Sequence, residues 1–300
     1  MTVLSADTWQ LAADAHQARA DALTDAHRRR RVQGRSHPVA DFLFVYYQHS
    51  PARLRRWHPG ADVLLQDAAQ EPIARWRHFR THRDGSVSLD LDSFVAARGT
   101  TVRFVRELLA VTLSRPAFTG CFGLHEWAMV YGLDPDEVRH DRWPLRLGTA
   151  GTDEVVRAHT LRCSHFDAVR FFTSAALPRN VLQPTRESQV AAEQPGCLHA
   201  GMDVYKWAFK LAPAVPGELV LDAFELAADI RVLDMRASPY DLEALGLEPV
   251  RIETAEGKQE YAAAQRSFTA RSNALRRRLL AVCERLLAPT VEMRDTEALR

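Results

Sequence analysis

The sequence predicts a mainly α-helical fold, a single multi-helix domain with a small β-hairpin insertion. Three observations predict it. Residues that cap or open a helix recur along the chain: Ser50-Pro51, Asp134-Pro135, Thr185 followed by Glu187, and Ser238-Pro239. One stretch, "RWRHFRTHRDGSVSLDLD", combines a tight-turn dipeptide, Asp84-Gly85, with the alternation Val87, Leu89, Leu91 expected of a hairpin strand. No repeat of roughly 20–50 residues, low-complexity linker or composition break divides the chain. With 300 residues at 46% hydrophobic content, there is apolar material for one large core.

Taken in order, residues 5–31 read as a helix with a weak apolar face of Trp9, Ala12, Ala13, Ala20 and Leu23, interrupted by His16. Arg28 to Arg31 fall near its C-terminal end, where cations suit the helix dipole. Residues 1–36 are thus expected to pack on or flank a helical catalytic domain, 37–288, with 289–300 as a flexible tail. An apolar segment from Phe42 to Tyr47 precedes the Ser50-Pro51 helix start, and Arg53, Arg55, Arg56, Trp57 and His58 then form a basic, aromatic cluster. Beyond the hairpin, helices are predicted at 101–114, 121–131, 135–140, 153–158, 165–173, 186–194, 197–212, 217–236, 239–245 and 258–287, with a short strand at "EPVRIET". The last helix is amphipathic, with Tyr261, Phe268, Leu275, Leu279 and Leu286 along it.

Charge and cysteine use narrow the function classes. With 39 basic and 38 acidic residues the net charge is +1, so any surface for a polyanion must be a local patch. The first 31 residues lack the apolar run of a signal peptide, and no run of about 18 apolar residues follows. A cytoplasmic protein that does not enter a membrane is expected. Four cysteines without a close pair, Cys121, Cys163, Cys197 and Cys283, read as free thiols in a reducing compartment.

Chemistry is concentrated in "PGCLHAGMDVYKWAFKLAP". On a helix His199, Asp203, Lys206 and Lys210 lie along one stripe, where an apolar seam is the usual occupant. Two of the three lysines of the whole chain are in it. Three segments share a pattern: "CFGLHE" (Cys121, His125, Glu126), "CSHFD" (Cys163, His165, Asp167) and "CLHAGMD" (Cys197, His199, Asp203). A window of four residues after a cysteine holds a histidine about one time in six by chance, yet three of the four cysteines show it. Each segment is otherwise apolar, so its histidine and carboxylate need each other or a ligand. Convergence of the three would place a polar pocket in an apolar body.

Acid/base catalysis then falls to Glu126, Asp167, His199, Asp203 and Lys206, with His165 in the same site. Trp127, Tyr131 and Tyr205 are expected to stack on a flat substrate, and Arg170, Arg186, Gln189 and Arg236 to supply donors or facing cations. Apolar neighbours would lower the Lys206 pKa and make it a candidate Schiff-base nucleophile. A divalent metal, iron or zinc, would take its ligands from His125, His165, His199, Asp203, Glu225 and Asp229, the last two on the acidic stripe Asp222, Glu225, Asp229. That stripe equally suits a solvated helix face. There is no H-E-x-x-H and no C-x-x-C, and the single E-x-x-H is Glu137 to His140. G-x-S-x-G, Walker A and strand-bound G-x-G-x-x-G patterns are absent, which sets aside serine nucleophiles and nucleotide hydrolysis.

The stretches "HRRRRVQGRSHPVADFLFVYYQHSPARLRRWHPG", "TGCFGLHEWAMVYG", "LRCSHFDAVRFF", "PTRESQ", "PGCLHAGMDVYKW" and "DIRVLDMRASPYDL" together resemble a family of bacterial proteins, seen in actinobacteria, that carry the label 3-methyladenine DNA glycosylase. The similarity covers about residues 25–285. It implies a hydrolase that cleaves the N-glycosidic bond of an alkylated base, with a nucleobase-containing substrate, DNA among the partners, and a flipped nucleotide held against aromatic walls. No helix-hairpin-helix signature of the L-P-G-V-G type is present, so no catalytic residue carries over. Arg28 to Arg31, Arg53 to Arg56 and Arg276 to Arg278 are the candidate phosphate contacts. Three functions follow as expectations: a nucleobase N-glycosylase needing no cofactor, a metal-dependent hydrolase or oxygenase acting on a small molecule, and a helical protein that binds a ligand without turnover.

Overall fold

The structure is a computed structural model and describes residues 1–134, 136–138 and 143–288. Its frame is a set of long helices: α1 (Ala6–Val32), α4 (Leu91–Ser114), α9 (Leu198–Lys210), α10 (Gly217–Arg236) and α11 (Ala255–Leu287). Short ones lie between them: α2 (Phe42–Tyr46), α3 (Pro51–Leu54), α5 (Leu124–Ala128), α6 (Gly148–Ala158), α7 (Phe166–Val169) and α8 (Gln189–Ala192). The mainly α reading therefore holds. Local chemistry explains the starts. Ser50 accepts from the Arg53 N–H with Pro51 in the first turn of α3, Asp90 accepts from the Ser93 N–H at α4, and Thr254 accepts from the Gly257 N–H at α11. Helix α4 begins at Leu91 rather than at residue 101 because Asp90 caps it there. The alternation in "SVSLDLD" ends as strand at Leu89.

Helix α9 packs on α10 and α11, and α11 on α4, around a core that includes Val102, Leu108, Met202, Tyr205, Leu221, Ile230 and Leu279. Gly201 permits the close approach of α9. A Cβ there would stand 2.9 Å from Ile230 Cδ1 and 3.0 Å from Ser272 Oγ. Helix α1 lies against α3 and α10.

The hairpin is part of something larger than predicted. Strands β1 (Thr2–Leu4), β2 (Val63–Leu65), β3 (Phe79–Thr81) and β4 (Val87–Leu89) form a four-stranded mixed sheet in the order β1-β2-β4-β3. Strand β1 runs parallel to β2, with Thr2 opposite Val63, and the β3–β4 hairpin turns at Asp84-Gly85. The sheet has its own small core of Trp9, Trp57, Leu65, Ile73 and Val87. Other expectations shrink. Helices predicted at 121–131, 165–173 and 186–194 cover only α5, α7 and α8, and 239–245 is a 3-10 turn at Glu243–Leu245. No strand forms at "EPVRIET", where the Val250 N–H instead donates to the Arg236 carbonyl at the end of α10. Much of the helix predicted at 135–140, the histidine of the Glu137–His140 pair, and the 289–300 tail lie outside the described residues. No described helix is long and apolar enough to cross a membrane.

Candidate metal centre

Two segments of the shared Cys/His pattern, together with α10, build a buried centre. Helix α5, every residue of which is buried, carries His125 and Glu126. It starts at Gly123, whose positive φ of 71° sets it under Tyr261. The first turn of α9 supplies His199, and α10 supplies Arg231 and Asp234 near its C-terminal end. His125 Nε2 stands 2.9 Å from Asp234 Oδ1 as a buried ion pair that lacks the alignment of a hydrogen bond. The His199 ring meets His125 edge-on at 4.3 Å, and one donor atom from each of His125, His199 and Asp234 lies within 4.8 Å of the others. Ligands held about 2.1 Å from an ion at right angles to each other stand about 3 Å apart, so the His125–Asp234 spacing suits two neighbours in one coordination sphere.

Charge around the three residues is balanced. Arg231 donates to Asp234 Oδ2 at 2.8 Å and to Glu126 Oε1 at 3.0 Å, with its guanidinium 3.9 Å over the Phe42 ring. Burial opposes the charge on Asp234, but the facing His125 outweighs it and holds the carboxyl well below the usual range. Burial would also lower the His125 pKa, and the Asp234 carboxylate raises it above its ordinary value. Burial and then the charge on His125 keep His199 well below its ordinary value, as the neutral imidazole a metal takes.

A second cluster continues from the first. His165 stacks on His199 at 5.4 Å and reaches Glu193 at 3.3 Å and Asp203 at 3.8 Å. Both oxygens of Asp203 are engaged, one by the Tyr47 hydroxyl at 2.9 Å and one by Lys206 at 2.8 Å. Lys206 goes on to Asp167 at 3.3 Å, and Asp167 to Arg170 at 3.4 Å, where the chain of charges reaches solvent. His165, Glu193 and Asp203 could also surround an ion. Such an ion would displace or face the Lys206 ammonium, so the His125, His199, Asp234 set is the more open of the two.

Cys121, Cys163, Cys197, His125, His199 and Tyr261 border a small cavity of about 20 Å³, room for about one water. The three Cys/His segments therefore do converge. Burial pushes the Cys163 thiol up to about 12 and Cys197 well above its ordinary value, so neither is a thiolate. Outside lies an open groove of about 570 Å³, and Arg162, Ser164 and Gln194 border both spaces.

The other predicted residues separate. The stripe on α9 runs from the interior outwards: His199 partly buried, Asp203 buried, Lys206 partly buried, Lys210 exposed. Asp203 and Asp167 hold the Lys206 pKa above its ordinary value against the effect of burial, the opposite of the lowering expected for a nucleophile. Trp127 is sealed in the core with its indole N–H on the Ala237 carbonyl at 2.8 Å, and Tyr205 is fully buried between Tyr47, His49 and Phe224. Neither presents a stacking face. Tyr131 lies between Arg157 and Arg179, Arg186 over Phe166, and Gln189 donates to Glu193 at 2.5 Å. Arg236 ties α10 to Glu260 of α11. Glu225 and Asp229 stand apart from the His125 cluster and are ion-paired: Arg19 with Glu225 and Asp222, Arg271 with Asp229, and Arg278 with Asp222. The stripe is a surface face neutralised by arginines. Sequence reasoning missed Asp234, Arg231, Glu193 and Tyr47. The signal for the first two was an i, i+3 ion pair in the otherwise apolar second half of α10.

The chain matches no protein-family model, no curated protein and no solved structure.

Proposed function

We propose that the protein is a metal-dependent enzyme that holds a divalent cation, iron(II) or zinc, between His125, His199 and Asp234 and acts on a small molecule entering by the outer groove. The observation that carries this reading is an imidazole nitrogen and a carboxylate oxygen buried 2.9 Å apart without hydrogen-bond alignment, beside the His199 ring and a cavity of about 20 Å³. Two histidines and one carboxylate with open positions is the donor set of non-haem iron(II) oxygenases, and it also suits catalytic zinc. The ion would supply Lewis acidity or, as iron, redox chemistry.

The chain's own residues do the rest. Arg231, itself held by Glu126, fixes Asp234 Oδ2 and leaves Oδ1 turned to His125. The cavity admits only a water-sized ligand or one substituent of a larger molecule, which excludes bulk water. Arg162, Ser164 and Gln194 at its mouth present a cation and two polar groups to the part of the substrate left in the groove. An N-glycosylase would need a base stacked beside Asp203. Both oxygens of Asp203 are engaged and the nearby aromatics are sealed, so the geometry favours the metal reading.

Metal analysis of the purified, untagged protein by plasma mass spectrometry tests it. About one equivalent of iron or zinc is expected, lost in His199→Ala and in Asp234→Asn while the circular dichroism spectrum persists. A metal-free protein whose melting temperature does not respond to iron(II) or zinc would refute the reading.

A further inference from the structure

A second site lies where α1, α3, α4 and the turn between α9 and α10 meet. It is a concave space of about 210 Å³, bordered by Arg53, Arg56, Arg77, Arg98, His16 and His58 and by no carboxylate. None of the four guanidiniums forms an ion pair or a side-chain hydrogen bond with any described residue. Arginines elsewhere commonly do, as Arg19, Arg55, Arg146, Arg231, Arg271 and Arg285 show. Two of the four are held in place instead. Arg53 lies 4.7 Å over the Phe209 ring, whose plane stacks on His49 at 3.6 Å, and Arg56 lies 5.7 Å over Trp76.

Two buried histidines back the same wall. His16 and His58 are 4% and 7% exposed, and His16 Nε2 donates to the Leu54 carbonyl at 3.0 Å, which fixes its ring under the cleft. Gly217 makes room for the first, since a Cβ there would meet the His16 ring at 2.9 Å. His78, at the edge of the cleft, has its ring held by Ser93 Oγ at 3.0 Å. Four unpaired cations converging on one concavity repel each other, and an anion is what relieves that. Guanidinium forks match phosphate oxygens in pairs.

We propose that this cleft binds a small phosphorylated anion, with two or more phosphate groups, through Arg53, Arg56, Arg77 and Arg98. The charge converges from separate segments onto one open cleft, where a nucleic-acid backbone would call for a line of contacts. The site is separate from the His125, His199, Asp234 centre, and neither proposal rests on the other.

Calorimetric titration with inorganic pyrophosphate at low ionic strength is the test. One site per chain is expected, weakening with added salt. Arg56→Gln and Arg98→Gln should each weaken it about tenfold or more, the loss of a charge-assisted contact. Arg83→Gln, on the β3–β4 hairpin, should leave it unchanged. Matched melting curves show that the exposed-arginine variants fold. Absence of pyrophosphate binding at millimolar concentration, or binding that the Arg56→Gln/Arg98→Gln double variant retains, would overturn the proposal. A parallel titration with single-stranded and duplex oligonucleotides separates the sources of phosphate. Oligonucleotide binding that pyrophosphate does not displace would also overturn it.

Discussion

Arg231 is a buried guanidinium that two buried carboxylates share, and replacing it with methionine removes the cation while nearly keeping the length of the side chain. Glu126 and Asp234 would then lie close together with only His125 to offset them. Taking one partner from a buried ion pair typically costs about 3–5 kcal/mol, because the remaining charge is stranded away from water. An unfolding entropy of about 2.1 cal/mol/K per residue gives roughly 0.6 kcal/mol/K for a chain of this length. Arg231→Met should therefore lower the melting temperature by about 5–8 °C. Adding Glu126→Gln removes one stranded charge, so the double variant should recover a good part of that loss. The assay is differential scanning calorimetry on the wild type, both single variants and the double, in the presence of a chelator. A loss below about 1 kcal/mol for Arg231→Met would mean that the carboxylates reach water, and the balanced, buried picture of the centre would be wrong.

Acid should expose a second buried network. Burial alone would raise the Asp41 pKa, but Arg30, the His27 ring and the His37 N–H bring it from 3.8 to about 2. A depressed folded pKa adds stability that is complete above the unfolded value of 3.8 and is lost as pH falls towards about 2. The contribution is about 2 kcal/mol, so Asp41→Asn should cost about that at pH 7 in urea titrations and almost nothing near pH 2. An equal cost at both pH values would refute the ion-pair account. Gly217→Ala would press a methyl group against the His16 ring; a loss of about 1–3 kcal/mol is expected in urea titrations, and a fully stable variant would show that His16 moves freely.

Some of the site could be read before the structure. The 4, 3, 4 spacing of His199, Asp203, Lys206 and Lys210 gave the polar stripe, because helix periodicity alone decides which side chains align. The three Cys/His segments converged because each put an imidazole into apolar surroundings that could satisfy it only through tertiary contact. Asp234 stayed hidden because the more conspicuous acids of α10, Asp222, Glu225 and Asp229, drew attention to the solvent face, and only tertiary packing tells one face from another. Strands β1 and β2 are three residues each, too short for any alternation to register. Glu193 follows a helix of only four residues, and its partner His165 comes from another segment. The basic cleft was legible only in part. Arg53, Arg56 and His58 stand together in sequence, but Arg98 and His16 join them through the fold alone.

The buried centre draws on positions 125, 199 and 234, with no pair of ligands in one local element. Contacts between residues so far apart along a chain close late, after the entropy of the intervening loops has been lost. A chain in which α5 has not yet docked on α9 and α10 would therefore lack the complete set of three. An ion that bound all three residues would therefore bind the folded chain in preference to the unfolded one, and its occupation would add to the stability of the fold as a whole.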